Sequence, residues 1–191
     1  SYVIGFQTGN RLKSQGFSDV SLESYVAGTI AGLTGTDSSV PDEELQEFFI
    51  RFNEFIQDKM KTDNRLDAEA FFAENRGKEG VEETPSGLQY KVITPSDGPS
   101  PEASDTVVVM YEGRLIDGTI FDTNYENNQP AEFLLGVVIQ GWIEGLQLMT
   151  VGSTFEFYIP SELAYGENPR PGGAIQPNHA LIFRVELLEI K

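Results

Sequence analysis

The hydrophobic repeat of this chain changes once, and that change fixes what it can fold into. Up to residue 86 apolar side chains return every three or four residues. Beyond Thr84-Pro85-Ser86-Gly87 they return every second residue. A period near 3.6 belongs to helices and a period of two to strands, so a helical half precedes a β-rich half. The expected class is α+β: a C-terminal antiparallel sheet wrapped on one short helix, preceded by an all-α dimerisation domain with a long connecting helix. The domains read as 1–40, a helical dimerisation region; 41–76, the connecting helix; and 87–191, the β-rich domain.

In the front half, Leu45, Phe48, Phe49, Phe52, Phe55, Ile56 and Met60 form one stripe, continued by Leu66, Ala70 and Phe71. Pro41-Asp42-Glu43-Glu44 suits a helix N-terminus, and Gly77 is a stop. Two shorter helices are predicted over Tyr2–Ser14, which carries Gly5 and Gly9, and over Leu22–Leu33. They make a thin core for the phenylalanine stripe, which predicts that a second copy of the chain covers it.

In the back half, strands are predicted over 87–93, 106–111, 155–159 and 181–190, with a helix at Trp142–Met149. Turn signals lie between them at Ser96-Asp97-Gly98-Pro99, Asp117-Gly118 and Pro171-Gly172-Gly173. The aromatic residues Tyr111, Phe121, Tyr125, Trp142, Tyr165 and Phe183 cluster in and beside loops, with Asp122 directly after Phe121. Sheet aromatics are usually core, but Tyr165 precedes a long loop, where a core role is less automatic.

Composition excludes several kinds of chemistry. The 191 residues include no cysteine and one histidine, His179, so disulfides, thiolate nucleophiles and multi-histidine metal sites are out. Phosphate-loop and serine-elbow motifs are missing. The net charge is −17, shared between residues 1–86 (8 basic, 16 acidic) and 87–191 (5 basic, 14 acidic), which disfavours nucleic acid and anionic lipid. No run of about 18 apolar residues exists, so no membrane span is expected. Ser1–Gly5 has neither the basic stretch nor the apolar core of a secretory signal, which leaves the compartment open. His179 is expected on the surface where a loop enters a strand.

Four ordered blocks carry a specific resemblance. Tyr111-Glu112-Gly113-Arg114-Leu115-Ile116-Asp117-Gly118-Thr119-Ile120-Phe121-Asp122, Val138-Ile139-Gln140-Gly141-Trp142, Ile159-Pro160 through Leu163-Ala164-Tyr165-Gly166, and Leu181 to Leu188 resemble the FK506-binding peptidyl-prolyl cis–trans isomerases. Tyr2-Val3-Ile4-Gly5, Phe71-Phe72-Ala73-Glu74-Asn75 and Ser86-Gly87-Leu88-Gln89-Tyr90 are similar to the bacterial two-domain subgroup, which includes macrophage infectivity potentiators and 22-kDa FK506-binding proteins.

That resemblance implies an isomerase (rotamase) acting on proline-containing unfolded or flexible polypeptides. It implies a homodimer through the N-terminal helices with chaperone activity, and inhibition by macrolides such as FK506 or rapamycin. It also implies a bacterial protein, periplasmic or alternatively cytoplasmic. Tyr111, Phe121, Asp122, Tyr165 and Phe183 would be catalytic. Val138, Ile139, Trp142, Ala164 and Ile175 would bind substrate, with Trp142 as floor. Asp122 would sit at the rim of the carbonyl site, and the Tyr165 hydroxyl would hydrogen-bond the peptide. No metal or cofactor is implied. Asn127 stands where an arginine commonly pairs with the aspartate, and Ala131 where a phenylalanine often adds wall. Two other readings compete: a binding module whose isomerase pocket has decayed, and a purely structural dimer. Residues 87–191 are expected to fold alone and to keep most activity on short peptides.

Overall fold

A computed structural model describes residues 1–14, 20–38 and 40–191. The chain forms two compact units, Ser1–Lys59 and Met60–Lys191. The first contains α1 (Tyr2–Ser14), α2 (Leu22–Thr34) and the start of α3 (Asp42–Asn75). Ser21 caps α2, its hydroxyl accepting from Ser24 N at 3.2 Å. Gly35 ends the helix in the left-handed region at φ 69°, where a side chain would be strained. None of the described residues up to Lys59 is buried: Leu33 is 84% exposed, and Phe6, Phe48, Phe49 and Phe55 are more than half exposed. At 1.5 Å per residue, the 34 residues of α3 span about 51 Å. No helix among the described residues is long and apolar enough to cross a membrane.

The second unit holds a seven-stranded antiparallel sheet: β1 (Val81–Glu83), β2 (Gln89–Thr94), β3 (Thr106–Leu115), β4 (Ile120–Thr123), β5 (Ala131–Leu134), β6 (Thr154–Ile159) and β7 (Leu181–Ile190). The strand order is β1-β2-β6-β7-β3-β4, with β5 also on β3. The long alternating strands occur where the period-two pattern puts them. The short strands β1, β4 and β5 lack enough residues to show a period. Helix α4 (Gln140–Leu146) lies between β5 and β6 in chain order, starting two residues earlier than its apolar run suggests. It lies against β6 on a glycine face. A Cβ at Gly141 would stand 2.4 Å from Ile159 Cγ2, and one at Gly145 2.7 Å from Phe157 Cε1. Leu88, Val107, Leu146, Phe157, Leu181 and Leu187 form the centre of the core.

Strand β3 uses one edge for β7 and divides the other between β5 at Thr106–Val109 and β4 at Glu112–Arg114. The gap is sealed by a side chain. Asn124 Oδ1 accepts from Tyr111 N at 2.7 Å, and its Nδ2 donates to Val109 O at 3.0 Å. A buried backbone group left unpaired costs about 1–3 kcal/mol, so this amide replaces a missing stretch of strand.

The last part of α3 packs on the sheet. Phe71 lies against Tyr158 with ring centroids 5.9 Å apart. Gln89, which alternation assigns to a polar face, is fully buried. Its amide accepts from Asn75 Nδ2 at 2.9 Å and donates to Phe72 O at 3.1 Å and Glu83 Oε2 at 2.6 Å. Both faces of β2 are covered there, which a single-face alternation does not anticipate. The second unit therefore takes in Met60–Asn75 and β1, ahead of Gly87.

His179 also differs from its expected surface position. It is partly buried, and its Nδ1 accepts from Gln176 N at 3.1 Å. Burial lowers its pKa, against a smaller opposing pull from Asp117.

Two stability measurements follow from this packing. In urea, residues 60–191 are expected to unfold at a higher midpoint than 87–191, their unfolding free energy greater by roughly 2 kcal/mol for the apolar cover that α3 supplies; equal midpoints would show that α3 adds nothing to this unit. The second concerns pH. A histidine with a depressed folded pKa stabilises above its unfolded value near 6.5, and that contribution is lost as pH falls through 6.5. Glu83 and Asp117 are held below their ordinary ranges by hydrogen bonds, so their losses come only below about 4.5. Between pH 7.5 and 5.5 the melting temperature should fall, and His179→Asn should flatten that slope; an unchanged slope in the variant would contradict the assignment.

Candidate active site

A bulge gathers the site. Gly113 pairs with Asp122 while the next residue of β3, Arg114, pairs with Ile120, so Phe121 is an extra residue on β4. Strict alternation would send Phe121 and Asp122 to opposite faces; the bulge lets both line one pocket. Across the sheet Gly113 stands opposite Phe183 of β7. A Cβ at Gly113 would lie 2.7 Å from both Phe121 Cε2 and Phe183 Cε1, so only glycine leaves room for these rings to meet, 5.5 Å apart and nearly perpendicular at 84°.

The pocket holds about 260 Å³ and is lined by Tyr111, Phe121, Asp122, Phe133, Val137–Ile139, Trp142, Tyr165 and Phe183. Trp142, only 4% exposed, is its floor. Three rings meet it edge to face: Phe133 and Phe183 with centroids at 5.3 Å, and Tyr111 at 5.4 Å. These are favoured geometries for aromatic quadrupoles and fix the floor from three sides. Trp142 Nε1 is the buried side-chain nitrogen left without a hydrogen-bond partner among the described residues.

Polar groups stand at the rim. The Tyr111 hydroxyl donates to Asp122 Oδ2 at 2.7 Å. Burial and then the carboxylate push the Tyr111 pKa well above its ordinary value, so it remains a neutral donor. Asp122 thus takes its partner from Tyr111, and no hydrogen bond joins it to Asn127 among the described residues. Tyr165 is 45% exposed, and its hydroxyl makes no hydrogen bond among those residues. It is a donor and acceptor available to a ligand.

Eight of the ten expected site residues meet in this pocket: Tyr111, Phe121, Asp122, Val138, Ile139, Trp142, Tyr165 and Phe183. Ala164 packs against the core instead. Ile175 lines a second cavity of about 360 Å³, beyond Phe121 and Tyr165, with Pro169, Arg170, Gly173 and Ala174. Phe121 and Tyr165 therefore form a ridge shared by both spaces. Phe133 and Val137 are lining residues that the sequence blocks do not point to. Phe133 lies two residues beyond Ala131 on β5, hence on the same face, and supplies aromatic wall where alanine does not. That i+2 relation is the signal by which the sequence could have revealed it.

Residues 98–188 match the family described as FKBP-type peptidyl-prolyl cis-trans isomerase. Residues 1–92 match the domain amino terminal to FKBP-type peptidyl-prolyl isomerase. The chain is 42% identical to the FKBP-type 22 kDa peptidyl-prolyl cis-trans isomerase of Escherichia coli, over 100% of this chain and 93% of that protein. It is 39% identical to the outer membrane protein MIP of Legionella longbeachae, over 100% of this chain and 84% of that one. The crystal structure of FkpA from Escherichia coli superposes with a TM-score of 0.74 at 34% identity, covering 100% of this chain and 92% of that chain. Fold, pocket and full-length similarity together make this chain a member of the FKBP-type peptidyl-prolyl cis-trans isomerases, with the amino-terminal domain of that family ahead of the isomerase domain.

Proposed function

We propose that the aromatic pocket accelerates X–Pro isomerisation without covalent chemistry, during the folding of other polypeptides. The observation that carries this is a pocket walled by the aromatic rings of Phe121, Phe183 and Trp142, with a polar pair, Tyr111 and Asp122, at its edge. The barrier to isomerisation is lost amide resonance, about 18–20 kcal/mol. The twisted amide carries less charge separation than the planar one, so an apolar environment favours it over the ground state. The rings grip the proline, the Tyr165 hydroxyl bonds the peptide, and Asp122 borders the carbonyl. FK506 and rapamycin occupy the same pocket. Ala164 and Ile175 complete the substrate-binding set, Ile175 through the neighbouring cavity that it shares with Phe121 and Tyr165.

The protein acts as a homodimer. Support comes from the helices of the first unit, which bury none of their described residues and expose Phe48, Phe49 and Phe55. In a dimer, two pockets on one scaffold hold the same unfolded chain at high effective concentration, which is the basis of chaperone activity. The bacterial relatives include one named as an outer membrane protein, which favours the periplasm as the compartment; recovery of the protein in the cytosolic fraction would reverse that choice.

Isomerisation of a proline tetrapeptide, with and without FK506, tests the central reading. Phe121→Ala or Tyr165→Ala should lower kcat/KM substantially, whereas Asp122→Asn should cost about tenfold, or about 1.4 kcal/mol. The rate should be nearly flat between pH 6 and 8, because no group is asked to move a proton. A bell-shaped profile, or an Asp122→Asn variant far worse than Phe121→Ala, would give the chemistry to the carboxylate. Light scattering at micromolar concentration should return twice the chain mass of 21.1 kDa, and a monomer would end the dimer proposal.

A further inference from the structure

Tyr165 is the most exposed aromatic residue of the pocket. Its ring is half exposed and its hydroxyl has no bond among the described residues, so its place depends on its backbone. That backbone is tied at two ends. On one side Ala164 N and Gly166 N both donate to Ser161 O, at 2.9 and 2.8 Å. On the other, Gly166 O accepts from Asn178 N at 3.0 Å.

Asn178 reaches further. It is buried and held at φ 59°, a conformation few non-glycine residues adopt. Its side-chain amide donates to Lys61 O of α3 at 3.0 Å. One turn along α3, Asn64 Nδ2 donates to Pro177 O at 2.7 Å. Lys61 Nζ lies 3.6 Å from the Glu167 carboxylate, two residues past Tyr165. A single turn of α3, Lys61–Asn64, thus grips both ends of the loop that carries Tyr165 and closes the second cavity. Asparagine is among the few non-glycine residues that tolerate this conformation, and the bonds that hold Asn178 in it lead to Gly166 and to Lys61.

We infer that the Lys61–Asn64 turn of α3 is a positioning element of the isomerase site, and that Asn178 and Asn64 are positioning residues that set Tyr165 against Phe121. The inference rests on the isomerase reading above. It places a determinant of catalysis outside the 98–188 family match, on a helix that contributes no residue to the pocket.

The test uses the full-length chain. Asn178→Gly keeps the positive φ and removes only the side-chain link to Lys61; Asn64→Ala removes the second link. Arg65→Ala, which breaks an exposed pair with Glu69 on the neighbouring position of α3, is the control. Each tether variant should lower tetrapeptide kcat/KM about tenfold, since small displacements of a positioned group cost this much or more. Amide exchange in 164–179 should rise while β7 stays protected, and Arg65→Ala should match wild type in both. In a Tyr165→Ala background the tether substitutions should cost nothing further, because they act through that side chain.

The inference is overturned by tether variants with wild-type kcat/KM, by unchanged exchange in 164–179, or by losses that add fully to Tyr165→Ala. A variant that also deprotects β7 has lost its fold, and the other tether variant then decides the outcome. A wild-type chain inert on the peptide would sink the isomerase reading instead, an outcome distinct from any of these.

Discussion

The approach of α4 to β6 sets everything above it. Gly141 and Gly145, one helical turn apart, let the helix axis come closer to Ile159 and Phe157 than any side chain would permit. That depth fixes the height of Trp142, the residue after Gly141, and through it the pocket floor. Tyr111, Phe133 and Phe183 meet the indole from three different strands, so an error in helix depth would reach each wall at once. Close-packed interiors transmit such shifts rather than absorb them. The site is therefore a property of helix–sheet packing first and of individual side chains second.

Polar groups do a different task, holding backbone where the sheet runs out. Asn124 takes the place of strand between β5 and β4, and so fixes Tyr111, whose hydroxyl holds Asp122. Gln89 ties β2 to α3, accepting from Asn75 and donating to Phe72 O, and to Glu83 of β1. Each is a buried amide using both its donor and its acceptor, which is the condition under which burying a polar side chain does not destabilise. These amides add shape to the site and no titratable charge.

Much of this is legible in the sequence, and the gaps have physical causes. The helices of the first half and the strands β3, β6 and β7 are long enough for their periods to register, and the four family-like blocks bring eight pocket residues together by number. The strands β1, β4 and β5, of three or four residues, are set by pairing partners rather than by period. Phe133 is hidden behind the departure at Ala131, although two residues along a strand is the same face. Gln89 looks solvent-facing because nothing local announces that a distant helix covers β2. His179 looks exposed because its partner Gln176 and its burial both depend on a loop whose path is tertiary. Asn178 illustrates the limit best: its partner Lys61 lies 117 residues earlier in the chain, a relation with no local trace.

The sheet order carries a consequence for how such a molecule comes into being. Strand β7, last of the seven in chain order, lies in the interior of the sheet between β6 and β3. As the polypeptide leaves the ribosome, β3 and β6 emerge with a vacant lane between them that only β7 can fill. Until then the flanks of that lane present unpaired backbone and apolar rings, the state in which nascent strands associate wrongly. Pairing β3 with β7 also closes a loop of some seventy residues, which slows folding through its chain-entropy cost. A domain of this topology is completed only after its last strand is released.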